Sequence, residues 1–145
     1  MKKIFLIATL SLLSFTGLYA NSNDGTKVNT EVTNAFNQHF KNASNIKWSK
    51  IQEVFIAYFS QNNEELIAYF NENGELLATG RDINSRYLPL TVSMAVAEKY
   101  HGYNLVQSLE YASRTDGTSY IIYLGNEKKN RIVRVFIDGT IEKLK

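Results

Sequence analysis

The sequence predicts an α+β fold in which a unit of one helix plus about four antiparallel strands occurs twice, with the two helices packed on one face of the antiparallel sheet or sheets. Three observations predict it. First, the stretch 54–77 holds two apolar runs, 54–59 and 66–70, separated by Asn62-Asn63. A second turn at Asn73-Gly74 then leads into Leu76-Leu77. Asn-Asn and Asn-Gly both tolerate the positive φ that two-residue hairpin turns need, so this stretch reads as a three-stranded meander. Second, the pattern returns 65 residues later: Phe55 maps to Tyr120, Ala57 to Ile122, Phe59 to Leu124, Ile67 to Ile132, Phe70 to Val135, and Asn73-Gly74 to Asp138-Gly139. Third, an apolar stripe at helical spacing precedes each meander. It is Val28, Val32, Ala35, Phe36 and Phe40 in the first half, and Leu88, Val92, Ala95, Val96 and Tyr100 sixty residues on.

Taken in order, the chain begins with a targeting segment. Lys2 and Lys3 precede an almost unbroken apolar run at 4–13, and Ala20 offers a small residue for cleavage. The run is too short to span a bilayer, which takes roughly 20 apolar residues, so residues 1–20 read as a secretory signal and the export they direct ends in the periplasm or outside the cell. An uncleaved anchor is the alternative. Residues 21–27 are polar and expected to be disordered. A single domain should follow over 28–145, divided into repeats at 28–80 and 88–145 by a linker at 81–87. Thr26 or Asn29 caps the first helix, and the cluster Asn42-Ala43-Ser44-Asn45 ends it. Ile46-Lys47-Trp48 alternates as a short strand, with the lone Trp as a core or sheet anchor. Leu88-Pro89-Leu90 opens the second helix, since a first-turn Pro loses no hydrogen bond, and Gly102 stops it. Strands are expected at 105–112, 120–124, 131–137 and 140–144. The helix offset of 60 and the meander offset of 65 place a five-residue insertion within 102–117.

Composition excludes several classes of function. There is no Cys, hence no disulfide, thiolate metal site or thiol nucleophile. Removal of residues 1–20 takes Lys plus Arg from 16 to 14, equal to the 14 acidic residues. A neutral chain of this kind gives no support for nucleic acid or anionic lipid as a partner. His39 and His101 fall near helix C-termini, where the helix dipole favours a positive charge, and no third ligand accompanies them to hold zinc. Glu64, Glu65, Glu72 and Glu75 crowd turns, where carboxylates are solvated, and their spacing matches no calcium loop. No nucleophile elbow and no phosphate-binding glycine loop occurs. The expected catalytic, metal and cofactor sets are therefore empty.

The faces of the strands carry the functional argument. Across the Asn62-Asn63 turn, Phe59 faces Leu66, Ala57 faces Ala68 and Phe55 faces Phe70, and this side is expected beneath the helices. The opposite side carries Ile56, Tyr58, Ile67 and Tyr69, then Ile121, Tyr123, Ile132, Arg134 and Phe136. Such a side is ordinarily polar in a one-sided sheet. Tyr and Arg set among aliphatic residues make the composition of a contact surface. These nine residues are the candidate binding site for a protein or peptide, on a face expected to be open. The alternative is that loops, the N-terminal arm or a second copy of the chain cover it.

The run Val32…Ala35-Phe36…Phe40-Lys41-Asn42-Ala43…Ile46-Lys47-Trp48, followed by Ala68-Tyr69-Phe70-Asn71-Glu72-Asn73-Gly74-Glu75-Leu76-Leu77, resembles the β-lactamase-inhibitor-like (BLIP-like), PepSY-like family. That family comprises exported bacterial proteins built from helix-plus-sheet units. The likeness covers 28–145. The second half departs from the pattern, with Val96 in place of the Phe and no second Trp. The resemblance implies an α+β fold, a periplasmic or secreted location, and protein binding or inhibition rather than catalysis. It carries no inhibitory contact residue over to this chain. The expectation is thus an exported, non-enzymatic binding module. Its rivals are a small envelope enzyme with a site on the sheet face, and a structural protein that forms a homodimer through that face.

Overall fold

A computed structural model describes residues 26–144. The signal expected at 1–20 lies outside them, as does most of the polar segment 21–27. The elements are α1 (Thr30–His39), β1 (Ser44–Ile51), β2 (Val54–Gln61), β3 (Glu64–Asn71) and β4 (Leu76–Asp82). A 3-10 turn (Ser85–Tyr87) follows, then α2 (Leu90–Lys99), β5 (Asn104–Ser113), β6 (Gly117–Gly125), β7 (Asn130–Phe136) and β8 (Ile141–Lys143).

Local chemistry explains where these elements begin and turn. Asn29, rather than Thr26, caps α1: its side-chain oxygen accepts the Val32 N–H at 2.9 Å, and its amide donates to the Glu72 carbonyl at 2.8 Å. One side chain thus closes the helix N-terminus and ties it to the β3–β4 turn. Pro89 precedes α2 with no side-chain cap. Asn62 and Asn63, at φ 53° and 63°, make the β2–β3 turn, and the strands pair Phe55 with Phe70, Ala57 with Ala68 and Phe59 with Leu66. Gly74 in the β3–β4 turn has φ 79°, and a Cβ there would stand 2.7 Å from the Glu31 carbonyl oxygen, so the close approach of α1 excludes any side chain.

All eight strands form one antiparallel sheet in chain order. This corrects the expected fold of two helix-plus-four-strand repeats roofed on one face by their helices. β4 pairs with β5 from Ala78↔Ser113 to Asp82↔Leu109, so the hydrogen-bonded layer has no seam where a second unit would begin. The helices are also too small to roof this sheet. Ten residues of α-helix are about 15 Å long, whereas eight strands extend over about 34 Å. α1 seals only its own patch, burying Val32 and Phe36 against Phe55, Ala57, Phe59, Ala68 and Phe70. The Phe36 ring lies edge-on to Phe59 at 5.0 Å and to Trp48 at 5.2 Å, which makes the Trp a structural anchor. α2 does the same with Val92 and Val96 over Tyr120, Ile122, Leu124, Val133 and Val135. Between the patches the sheet surface is polar, where Arg81 pairs with Glu110 at 3.0 Å and with Glu64 at 3.7 Å. A third apolar cluster fills the other side of the sheet from β2 to β7. Strand alternation therefore buries residues on both faces, and the sheet, not a repeated helix-and-sheet unit, is the body of the molecule.

Candidate functional site

The site is the side of the sheet on which no described helix packs. Register brings all nine sequence-predicted residues to it. Ile56 stands opposite Tyr69 and Tyr58 opposite Ile67. Ile121 stands opposite Arg134, Tyr123 opposite Ile132, and Ser119 opposite Phe136. The central strands join the two groups through Ala78 and Gly80, then Tyr111 and Leu109. One continuous surface results, edged by Ile51, Val54, Leu77 and Leu144.

The expected openness of this face needs correction. Ile56, Ile67, Tyr69, Ile121, Ile132 and Arg134 are buried, and only Tyr58, Tyr123 and Phe136 are half-buried. Neighbours across the strands contribute to this burial, since directly opposed Cβ atoms in an antiparallel pair are ~5 Å apart. The Tyr69 ring meets the Tyr111 ring edge-on at 5.8 Å. Tyr69 is therefore a core residue. Burial raises the Tyr123 phenol to about 12, with a smaller contribution from the Asp82 carboxylate, and burial likewise raises the Tyr111 phenol.

Arg134 is the unusual member, a guanidinium only 2% exposed within an apolar cluster. A buried charge must be paired to be tolerated. Its Nε donates to Ser119 Oγ at 2.9 Å and its Nη2 to Asp116 Oδ2 at 3.2 Å. Its guanidinium carbon lies over two rings, 4.6 Å from the centre of Phe136 and 5.5 Å from that of Tyr111. Glu142 stands across the β7–β8 pair, with one carboxylate oxygen buried and unbonded among the described residues. Beside this network a cleft of about 260 Å³ opens between Tyr69, Tyr111 and Leu77, with Glu75, Ser113, Arg114 and Thr115 at its rim.

Sequence reasoning missed Leu109, Tyr111, Leu77 and the Asp116–Ser119 partners of Arg134. The first two were hidden by a bulge. Leu105 pairs with Leu124 on the helix side, yet Gln107 pairs with Tyr123 on the other, so Val106 is the extra residue and the alternation changes phase there. A second irregularity beside Phe70 does the same for Leu77.

The turn carboxylates remain at the surface. Glu72 pairs with Lys50 at 2.8 Å, and no group of His, Asp and Glu suited to a metal ion occurs among the described residues. Among the same residues no helix is long and apolar enough to cross a membrane. The arrangement combines aromatic edges, an aliphatic bed, one fixed cation and a small cleft.

No family model matches the chain, and no curated protein matches it. Solved structures do. A BLIP-like protein from Bacteroides fragilis superimposes with a TM-score of 0.70 at 18% identity, over 85% of this chain and 89% of that one. A DUF2874 family protein from Bacteroides ovatus gives 0.73 at 18% identity, over 83% and 90%. A candidate periplasmic protein from Bacteroides eggerthii gives 0.73 at 15% identity, over 81% and 89%. The chain therefore has a BLIP-like fold.

Proposed function

We propose that the chain is an exported, non-enzymatic binding module that engages a protein or peptide partner in the bacterial envelope through the face of its sheet opposite α1 and α2, and inhibits that partner where the contact covers its working surface. The observation that carries this reading is the make-up of the face. Tyr58, Tyr123 and Phe136 stand half-exposed over the aliphatic bed of Ile56, Ile67, Ile121 and Ile132, with Arg134 held in place by Asp116 and Ser119. Aromatic residues and Arg dominate the energetic centres of protein interfaces, and pre-ordered side chains lose little entropy when a partner arrives. The cleft between Tyr69, Tyr111 and Leu77 gives a single apolar side chain of the partner a place to enter. The BLIP-like fold supports the reading by analogy, and kinship with PepSY-like proteins rests on the run from Val32 to Trp48.

Export rests on Lys2, Lys3, the apolar run at 4–13 and Ala20. Mass spectrometry of the chain recovered from the envelope should show Asn21 as its first residue, and a chain still carrying Met1 overturns that part. Binding is tested by capture from envelope extract with two baits. Tyr58→Ser with Tyr123→Ser should lose the partner, whereas Asn34→Ser with Asn37→Ser, on the outer side of α1, should keep it. Equal recovery by both baits, each shown to be folded by circular dichroism, overturns the assignment of the face.

A further inference from the structure

The outer side of α2 breaks the rule that the rest of the helical surface obeys. Val92 and Val96 point into the sheet, which turns Leu90, Met94 and Ala97 to the opposite side. Leu90 is 73% exposed and Met94 61%, and Tyr87, one turn before Leu90, is 69% exposed. On α1 the positions that stand in the same relation to the buried Val32 and Phe36 are Thr30, Asn34 and Asn37, all polar and exposed. Two helices of equal length on one molecule therefore differ in their outer faces. A helix that is apolar on both sides is one that has a partner on both sides.

We infer that this stripe joins two copies of the chain, α2 against α2, in an antiparallel pair about a two-fold axis near Met94. The spacing i, i+4, i+7 of Leu90, Met94 and Ala97 is that of a helix–helix seam, and the small Ala97 leaves room for Leu90 of the other copy. Charge selects the antiparallel direction. Arg86 lies just before α2 and Glu98 in its last turn, and neither has an ion pair among the described residues. Antiparallel docking sets each Glu98 beside the N-terminus of the opposite α2, within reach of its Arg86. The carboxylate gains there both from the guanidinium and from the helix dipole. Parallel docking would put Arg86 against Arg86 and Glu98 against Glu98. A two-fold contact of this kind is self-complementary and closes at two copies. The seam is only about 15 Å long, so the dimer is of the weak, reversible class. It leaves the face of the sheet opposite α1 and α2 untouched and does not depend on what that face binds.

Sedimentation of the purified chain across a concentration series tests this. The weight-average mass should rise toward twice the monomer value, and Met94→Glu should hold it at the monomer value with an unchanged circular dichroism spectrum. Leu90→Gln, which adds no charge, serves as the second disrupting variant. Arg86→Glu alone and Glu98→Arg alone should each weaken association about tenfold, and the two together should restore it. A chain that stays monomeric at its highest soluble concentration overturns the inference. So does a dimer indifferent to Met94→Glu and Leu90→Gln, or a chain that binds lipid vesicles as a monomer through the stripe.

Discussion

Arg134 and Tyr123 show how single side chains set the character of the candidate face. Arg134 carries a charge into an apolar cluster and keeps it there with Ser119, Asp116 and two aromatic rings. Tyr123 holds its proton more firmly than a free phenol, because burial disfavours the phenolate. Its ordinary value is near 10, and in the fold it rises to about 12. The unfolded chain therefore releases this proton first as pH rises. The stabilising effect is present in full below pH ~10 and is lost as pH climbs through the folded value. Urea unfolding midpoints between pH ~10 and ~12 should fall more steeply for the native chain than for Tyr123→Phe, and tyrosinate absorbance should lose its late step in the variant. The nine residues of the face were legible in the sequence from alternation alone. Their degree of burial was not, since it depends on neighbours such as Tyr111 that come from strands far away in sequence.

At the scale of elements, the turns were the most legible feature and the bulges the least. Asn62, Asn63 and Gly74 announce their positive φ by residue type, whereas Val106 carries no such mark and still reverses the phase of β5. The Asn29 cap was one of two candidates until the Glu72 carbonyl, 43 residues on, showed what else that side chain holds. Gly74 and Gly102 make a matched pair for testing the α1 approach. Both have positive φ, at 79° and 77°, but a Cβ at Gly74 would collide with the Glu31 carbonyl, while one at Gly102 would meet nothing within 4 Å. Gly102→Ala should lose about 1 kcal/mol from the backbone conformation alone, and Gly74→Ala should lose at least about 1 kcal/mol more, read from urea denaturation. Equal losses would mean that α1 does not bear on the turn.

For the molecule as a whole, the spacing of apolar residues predicts two units, and the structure is instead one sheet. Sequence similarity between stretches 60 and 65 residues apart reports which side chains recur, not which strands share hydrogen bonds. The β4–β5 pairing decides that, and nothing in the composition of 76–82 distinguishes an edge strand from a central one. A continuous sheet should unfold as one unit. Denaturant curves followed by Trp48 fluorescence, in the α1 patch, and by near-ultraviolet circular dichroism of the tyrosines, most of them elsewhere, should coincide, and a fragment ending at Ile83 should not fold. Two separate transitions would restore the two-unit description.

A partner seated on the face of the sheet opposite α1 and α2 is the central proposal. Site-specific photocrosslinking in intact cells addresses it most directly, with the reactive group placed in turn at Tyr58, Tyr123, Phe136 and, on the outer side of α1, at Asn34. One discrete protein adduct should be shared by the three face positions and be missing at Asn34. Adducts formed at Asn34 as readily as at the face, or three face positions that each remain unattached while the chain is folded, would contradict it.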